Sequence, residues 1–168
     1  MPFEYIFGAP TEDEVKRKIA ATIKAARVKK AMKSLNILQV GHTPQGFGFS
    51  RALDMEMMTT FGAALNSIES RELIDKAKSF TDEDIKAYLD DAKGRIKGLD
   101  GSDNNNVLDF ARLYKAYDEY VRENNVGALS SRCWPDFFTA FGTPVCSVLS
   151  ILNDLGVASA CEADTYIA

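Results

Sequence analysis

Hydrophobic positions along this chain fall into two kinds of run. Short runs of branched or small apolar residues, Leu35-Asn-Ile-Leu-Gln-Val40, Ala63 to Ile68, Gly127 to Ser131 and Val157 to Cys161, predict strands. Between them, longer stretches with apolar residues every three or four positions predict helices. Phe3-Glu-Tyr-Ile-Phe7, closed by Gly8-Ala-Pro10, predicts one more short strand at the start. The first helix opens at Thr11, spaced from Glu14 as in a capping box, with Glu12 and Asp13 at the positive end of the helix dipole. Val15, Ile19, Ile23 and Ala26 then form one stripe for burial. Lys29, Lys30 and Lys33 suit the carboxyl end, and they read as a solvated helix terminus rather than a phosphate site.

Arg51 to Phe61 predicts the next helix, with Leu53, Met57, Met58 and Phe61 as core packing. A short segment over Glu72–Lys78 follows, and Thr81-Asp-Glu-Asp84 starts a helix carried on by Ile85, Leu89, Ala92 and Ile96. Gly98 to Asn106 is a polar surface loop. The helix over Val107–Val121 has an unusually broad apolar band, formed by Val107, Ala111, Tyr114 and Val121 beside Phe110, Leu113, Tyr117 and Tyr120. That width implies cover from a sheet and from a further surface, another domain or subunit. Strands alternating with helices predict an α/β fold, a three-layer αβα sandwich with a mainly parallel sheet of flavodoxin- or Rossmann-like type, as a single domain over 1–168. Right-handed crossovers then bring Gly41, Glu69, Arg132 and Cys161 to one edge, where such sheets bind ligands.

Composition narrows the field further. The 168 residues are 46% hydrophobic and 26% charged, as in a globular domain. A net charge of −4 argues against nucleic acid or an anionic membrane as partner. No apolar run reaches membrane-spanning length, and Met1-Pro-Phe-Glu lacks the features of a signal peptide. Three cysteines without C-x-x-C spacing predict no disulfide framework and point to a reducing cytoplasm.

Candidate chemistry gathers at the carboxyl edge. Glu162 follows a buried strand, where a carboxylate can ligate a divalent cation, act as general base or cap a helix. Asp164 sits where a following helix would begin and reads as its N-cap. The loop Gly41-His-Thr-Pro-Gln-Gly-Phe-Gly48 follows a strand, but its spacing matches neither nucleotide-binding fingerprint and it lacks the P-loop lysine. Cys133, Cys161, His42 and Glu162 compose a conceivable zinc site, although their spacing fits no standard zinc pattern; buried structural cysteines are the alternative. Cys146, inside a helical Pro144–Asn153 segment, reads as buried and structural. A Cys–His–Asp hydrolase lacks both a nucleophile elbow and a cysteine at a helix start. Trp134 either walls a sugar site or plugs the core, and Arg132 either binds substrate oxygens or pairs with Asp136 or Glu162.

Larger blocks of residues carry a family likeness. Ser130-Ser-Arg-Cys-Trp-Pro-Asp-Phe137, Phe141-Gly142, Pro144, Cys146, Leu152-Asn-Asp-Leu-Gly156 and Ala160-Cys-Glu-Ala-Asp164 resemble the L-fucose isomerase-like sugar isomerases. Val40-Gly-His-Thr-Pro-Gln-Gly46, Asp54, Phe61-Gly62 and Glu72-Leu73 fit the same order. The likeness covers nearly the whole chain and corresponds to the second domain of a family member, without its first and carboxyl-terminal domains. It implies an aldose–ketose isomerase of a monosaccharide, working through an ene-diol with a divalent cation, typically Mn²⁺, on adjacent sugar oxygens. By position, Glu162 matches the family's metal-ligating glutamate and catalytic acid/base, and Arg132 and Trp134 match the substrate pocket. The second acidic ligand and the histidine ligand would lie beyond Ala168, so neither His42 nor Asp164 takes those roles. Family members are homo-oligomers whose pockets draw on a neighbouring subunit, so the rest of the chain and other subunits are implied partners. On this resemblance the chain is incomplete as a catalyst and holds Mn²⁺ weakly by itself. A self-standing flavodoxin-like binding module is the alternative, and a nucleotide-binding protein ranks third.

Overall fold

The structure is a computed structural model that describes residues 3, 5–99 and 105–168. Four strands, β1 (Asn36–Val40), β2 (Ala64–Ile68), β3 (Ala128–Ser131) and β4 (Ala158–Cys161), form one all-parallel sheet in the order β2-β1-β3-β4. The helices are α1 (Asp13–Met32), α2 (Asp54–Phe61), α3 (Ser70–Ser79), α4 (Asp82–Arg95), α5 (Asn105–Glu123), α6 (Asp136–Ala140) and α7 (Cys146–Asp154). The strand order follows from the connections. From β1 the chain crosses through α2 to β2 on one side, then returns past β1 to β3 through α3, α4 and α5, and on to β4 through α6 and α7. With every crossover right-handed, the reversal of direction puts α2 on one face and α3 to α7 on the other. Helices therefore cover both faces, as the α/β expectation required.

Alternating strand residues feed two cores of unequal size. On the α3–α7 face, Leu38, Val40 and Leu129 meet Leu73, Ile74, Leu113, Val148 and Leu152, with Tyr117 and Phe137 fully buried and their ring centroids 6.2 Å apart. On the opposite face, Ile37 and Ala128 meet Ala52, Met57 and Ala63, with the half-buried Leu35 and Leu65 at the margin. The small residues of β4 and its neighbour β3 let α7 lie close against them, and Asn153 of α7 clamps Ser159, its carboxamide oxygen accepting the Ser159 N–H at 3.0 Å. No helix among the described residues is long and apolar enough to cross a membrane.

Several details depart from the sequence expectations. Residues 3 and 5–7 form no strand; Phe3, Tyr5 and Phe7 lie exposed. The first helix is capped at Glu12, not Thr11, and the Glu12 carboxylate accepts the Ala9 N–H at 3.0 Å. Along α1 only Val15 is buried, while Ile19 (40% exposed), Ile23 (48%) and Val28 (55%) face solvent. In α2 only Met57 is core, and Leu53, Met58 and Phe61 are exposed. The broad band of α5 needs no external partner to account for it, because α3, α4 and α7 supply the second surface within this chain. Of the polar loop over 98–106, residues 100–104 lie outside the described residues. Thr81 is a true cap: its hydroxyl accepts from the Asp84 N–H, and the Asp84 carboxylate accepts the Thr81 N–H at 2.8 Å.

Candidate functional site

All four strands end at one edge, and the segments just past those ends are tied together. Gly41 leaves β1 with φ +75°, donating its N–H to the Ile68 carbonyl at 2.8 Å, while Arg132 leaves β3 donating to the Val40 carbonyl at 2.8 Å. A Cβ on Gly41 would stand 2.4 Å from Ser70 Oγ and 3.1 Å from Arg132 Cβ, so only glycine lets β1, β2 and β3 exit so close together. This is where the chain's crossovers change direction, the position at which open parallel sheets bind ligands.

Arg132 is a brace at this edge. Its guanidinium holds Asp136 at the start of α6 through three bonds, Nε to Oδ2 at 2.9 Å, Nη2 to Oδ1 at 2.6 Å and Nη2 to Oδ2 at 2.5 Å, and Nη1 reaches the His42 carbonyl at 3.4 Å. The pairing alternatives left open by the sequence resolve to Asp136. His42 Nε2 stands 3.4 Å from Glu69 Oε1, and Glu69 also caps α3 in a reciprocal box with Glu72. Trp134 is 54% exposed beside this brace, so it does not plug the core.

Glu162 lies on a turn that bends the backbone sharply. Glu162 has φ +55° and Ala163 φ +58°, two successive non-glycine residues in the left-handed region, costing on the order of 1–3 kcal/mol each. What holds them there is local. Ala163 is fully buried, the Asp164 N–H donates to the Cys161 carbonyl at 3.1 Å, and the buried Thr165 and Ser130 hydroxyls bond at 2.7 Å. The turn leaves the Glu162 carboxylate half in and half out of the protein. One oxygen, Oε1, accepts from Cys161 Sγ at 3.6 Å, and the other, Oε2, is buried without a hydrogen-bond partner. Among the described residues Asp164 stands between two turns, 162–163 and 165–167, with the Ile167 N–H donating to the Asp164 carbonyl at 3.3 Å.

A polar cleft of about 450 Å³ opens beside β1 and β2 on the α2 face, lined by Gln39, His42, Thr43, Arg51, Asp54 and Ser67 among others. Gln39 is a buried amide in the middle strand, Thr43 Oγ1 is buried without a partner, and Arg51 forms no ion pair with any described residue. Gln39 could have been found in the sequence, as a polar residue at a position of β1 where the alternation asks for an apolar one; Arg51, in a loop, and Ser67, exposed on β2, carry no such signal.

Three sulfurs meet beneath the Glu162 turn. Cys133 follows β3, Cys161 ends β4 and Cys146 is the first residue of α7; their Sγ atoms all lie within 4.8 Å of one another, and Cys133 and Cys146 are 3.8 Å apart. All three are free thiols, and Cys146 is exposed at the first position of α7, contrary to the expectations of burial and of no cysteine at a helix start. The Cys133 thiol, donating toward Cys161, draws the Cys161 pKa down to about 7, and the same donation together with burial pushes Cys133 well up. His42 is not part of this cluster among the described residues, so the four-residue combination of Cys133, Cys161, His42 and Glu162 does not form.

No family model matches the chain. It is 56% identical over 164 residues, 98% of its own length, to a sulfoquinovose isomerase of Clostridium sp. (strain MSTE9). It is 34% identical over 165 residues to a sulfoquinovose isomerase of Alkalicoccus urumqiensis, and 30% identical over 165 residues to one of Priestia megaterium (strain ATCC 12872 / QMB1551). The chain spans 37% of the length of each of these curated relatives.

Proposed function

We propose that this chain is the part of an aldose–ketose sugar isomerase that carries a catalytic carboxylate, Glu162, in the manner of the L-fucose isomerase-like enzymes. The observation that carries the reading is the buried, unpartnered Oε2 on a strained turn at the carboxyl edge of the sheet. A buried acceptor with no donor is costly unless a cation or a substrate proton completes it. The curated relatives, each named for the isomerisation of a sugar, support the same reading.

Isomerisation between an aldose and a ketose moves a proton between adjacent carbons, and a carboxylate is a suitable carrier of that proton. Glu162 supplies it, and the turn aims it without reliance on a mobile loop. Glu162 also fits a hard divalent cation of the Mn²⁺ class by donor type. When bound, such a cation stabilises negative charge developing on the sugar oxygens. Hard cations take several oxygen ligands, so one carboxylate is not a complete set, and the remaining ligands belong to other parts of a longer protein. His42 is engaged with Glu69, and Asp164 stands between two turns, so neither is assigned as a ligand. Arg132 and Trp134 take the substrate-pocket positions, Arg132 bracing the segment after β3 through Asp136 and Trp134 offering an exposed aromatic face to a sugar. Arg51, in the polar cleft and without an ion pair among the described residues, suits the sulfonate of a sulfonated sugar. In this reading the longer protein assembles with neighbouring subunits and works in the cytoplasm.

The test is Glu162→Gln in the isomerase of full relatives' length, assayed on sulfoquinovose and on L-fucose. The expected loss of kcat is about 10²–10⁴-fold with the folded CD spectrum retained. Unchanged turnover would overturn the assignment. The 168-residue chain by itself is expected to turn over neither sugar, and turnover by it would overturn the claim that ligands come from elsewhere.

A further inference from the structure

Cysteines 13 and 15 residues apart in sequence meet here for a topological reason. β3 and β4 are hydrogen-bonded neighbours with Ser131 opposite Cys161, so the residues leaving both strands emerge side by side. The α7 helix, which connects them, begins over the same edge and brings Cys146 down onto the pair. The result is three sulfur atoms from three separate elements converging on one point, with all pairwise separations at or below 4.8 Å and one at 3.8 Å.

We propose that Cys133, Cys146 and Cys161 form a binding site for a thiophilic divalent cation of the zinc class, distinct from the hard-cation role assigned to Glu162. The dimensions fit. Zinc–sulfur bonds of about 2.3 Å place tetrahedral sulfurs about 3.8 Å apart, so one pair already has the required spacing and the others need an inward movement of about 1 Å at most. Access fits as well: Cys133 is buried and fixes the floor, while Cys146 is exposed and leaves a path from solvent. Cys146 opens the nine-residue helix α7, whose amino-terminal dipole favours a thiolate there. The fourth position is left to water. On binding, the three thiol protons leave to solvent and the sulfurs bind as thiolates. Soft sulfur ligands select zinc or cadmium over manganese. None of the three sulfurs has a task in isomerisation, so either proposal can fail alone.

The experiment is titration of the reduced, metal-free 168-residue chain with Cd²⁺, following sulfur-to-cadmium charge-transfer absorption, with Zn²⁺ and then Mn²⁺ as competitors. One equivalent of Cd²⁺ is expected, displaced only by a large excess of Zn²⁺ and untouched by the same excess of Mn²⁺. Cys146→Ser, which changes an exposed residue, and Cys161→Ser should each weaken binding by at least roughly 10–100-fold, the cost of losing even a group that only orients a metal ligand. Absence of the band at one equivalent, displacement by Mn²⁺, or a Cys161→Ser variant that binds as before would overturn the three-thiolate site.

Discussion

Three tyrosines show how burial and a single acceptor set a side chain's chemistry. Burial, and then donation to Asp91 Oδ2 at 2.8 Å, pushes Tyr114 up to about 12. Burial and donation to Asp118 Oδ2 at 2.8 Å raise Tyr88, and burial raises Tyr117 against its bond to Ser131. A phenol whose folded pKa lies above its unfolded value near 10 stabilises the fold fully below pH 10. Above that, the unfolded chain sheds protons that the native chain keeps, and stability falls as pH rises from 10 through 12. Alkaline difference spectra should show fewer tyrosinates in native protein at pH 11 than in urea, and urea midpoints should decline across the same window. Equal titration in both states would contradict this. At this scale the sequence was legible where residue type is the message. Glu162 stood out because a carboxylate directly after a run of small apolar residues needs a reason, although the strand it follows is an edge strand in which only Ala160 is buried. Its left-handed backbone did not, since neither it nor Ala163 is the glycine that normally marks such a position.

Helices α1 and α5 carry similar periodic patterns and meet different fates. Periodicity identifies which face is apolar, but it is silent on whether anything lies against that face. For α5, three helices and the sheet arrive. For α1, the Ile19–Ile23 stripe meets solvent, and a groove of about 810 Å³ separates Val28 and Met32 from Met58 and Phe61 of α2. Substituting Ile19 and Ile23 by Ser in the isolated chain should therefore shift stability by no more than about 0.5 kcal/mol each. Phe137→Ala, at a fully buried ring, should cost about 3–5 kcal/mol. Urea unfolding of both variants checks the contrast, and a large loss from the α1 substitutions would show that the stripe is covered in solution.

For the molecule as a whole, alternation of strands and helices predicted the parallel sheet and the edge at which chemistry collects. Strand order was not legible, because the sequence says that β1 connects to β2 but not on which side β3 will pair. The meeting of three cysteines is a consequence of that order, hidden from any spacing rule. The unequal cores described above have a dynamic corollary. Amides in β1, β3 and α5 are enclosed by the larger core, and they should exchange with deuterium only through global unfolding. Those of α1, with Val15 as its sole buried anchor, should exchange through local opening at far smaller free energy, insensitive to low urea. Uniform protection across α1 and α5 would refute this. If it holds, α1 opens beside α2, the helix that the segment after β4 reaches through the Tyr166 hydroxyl's 3.2 Å bond to Glu56, while the larger core stays shut.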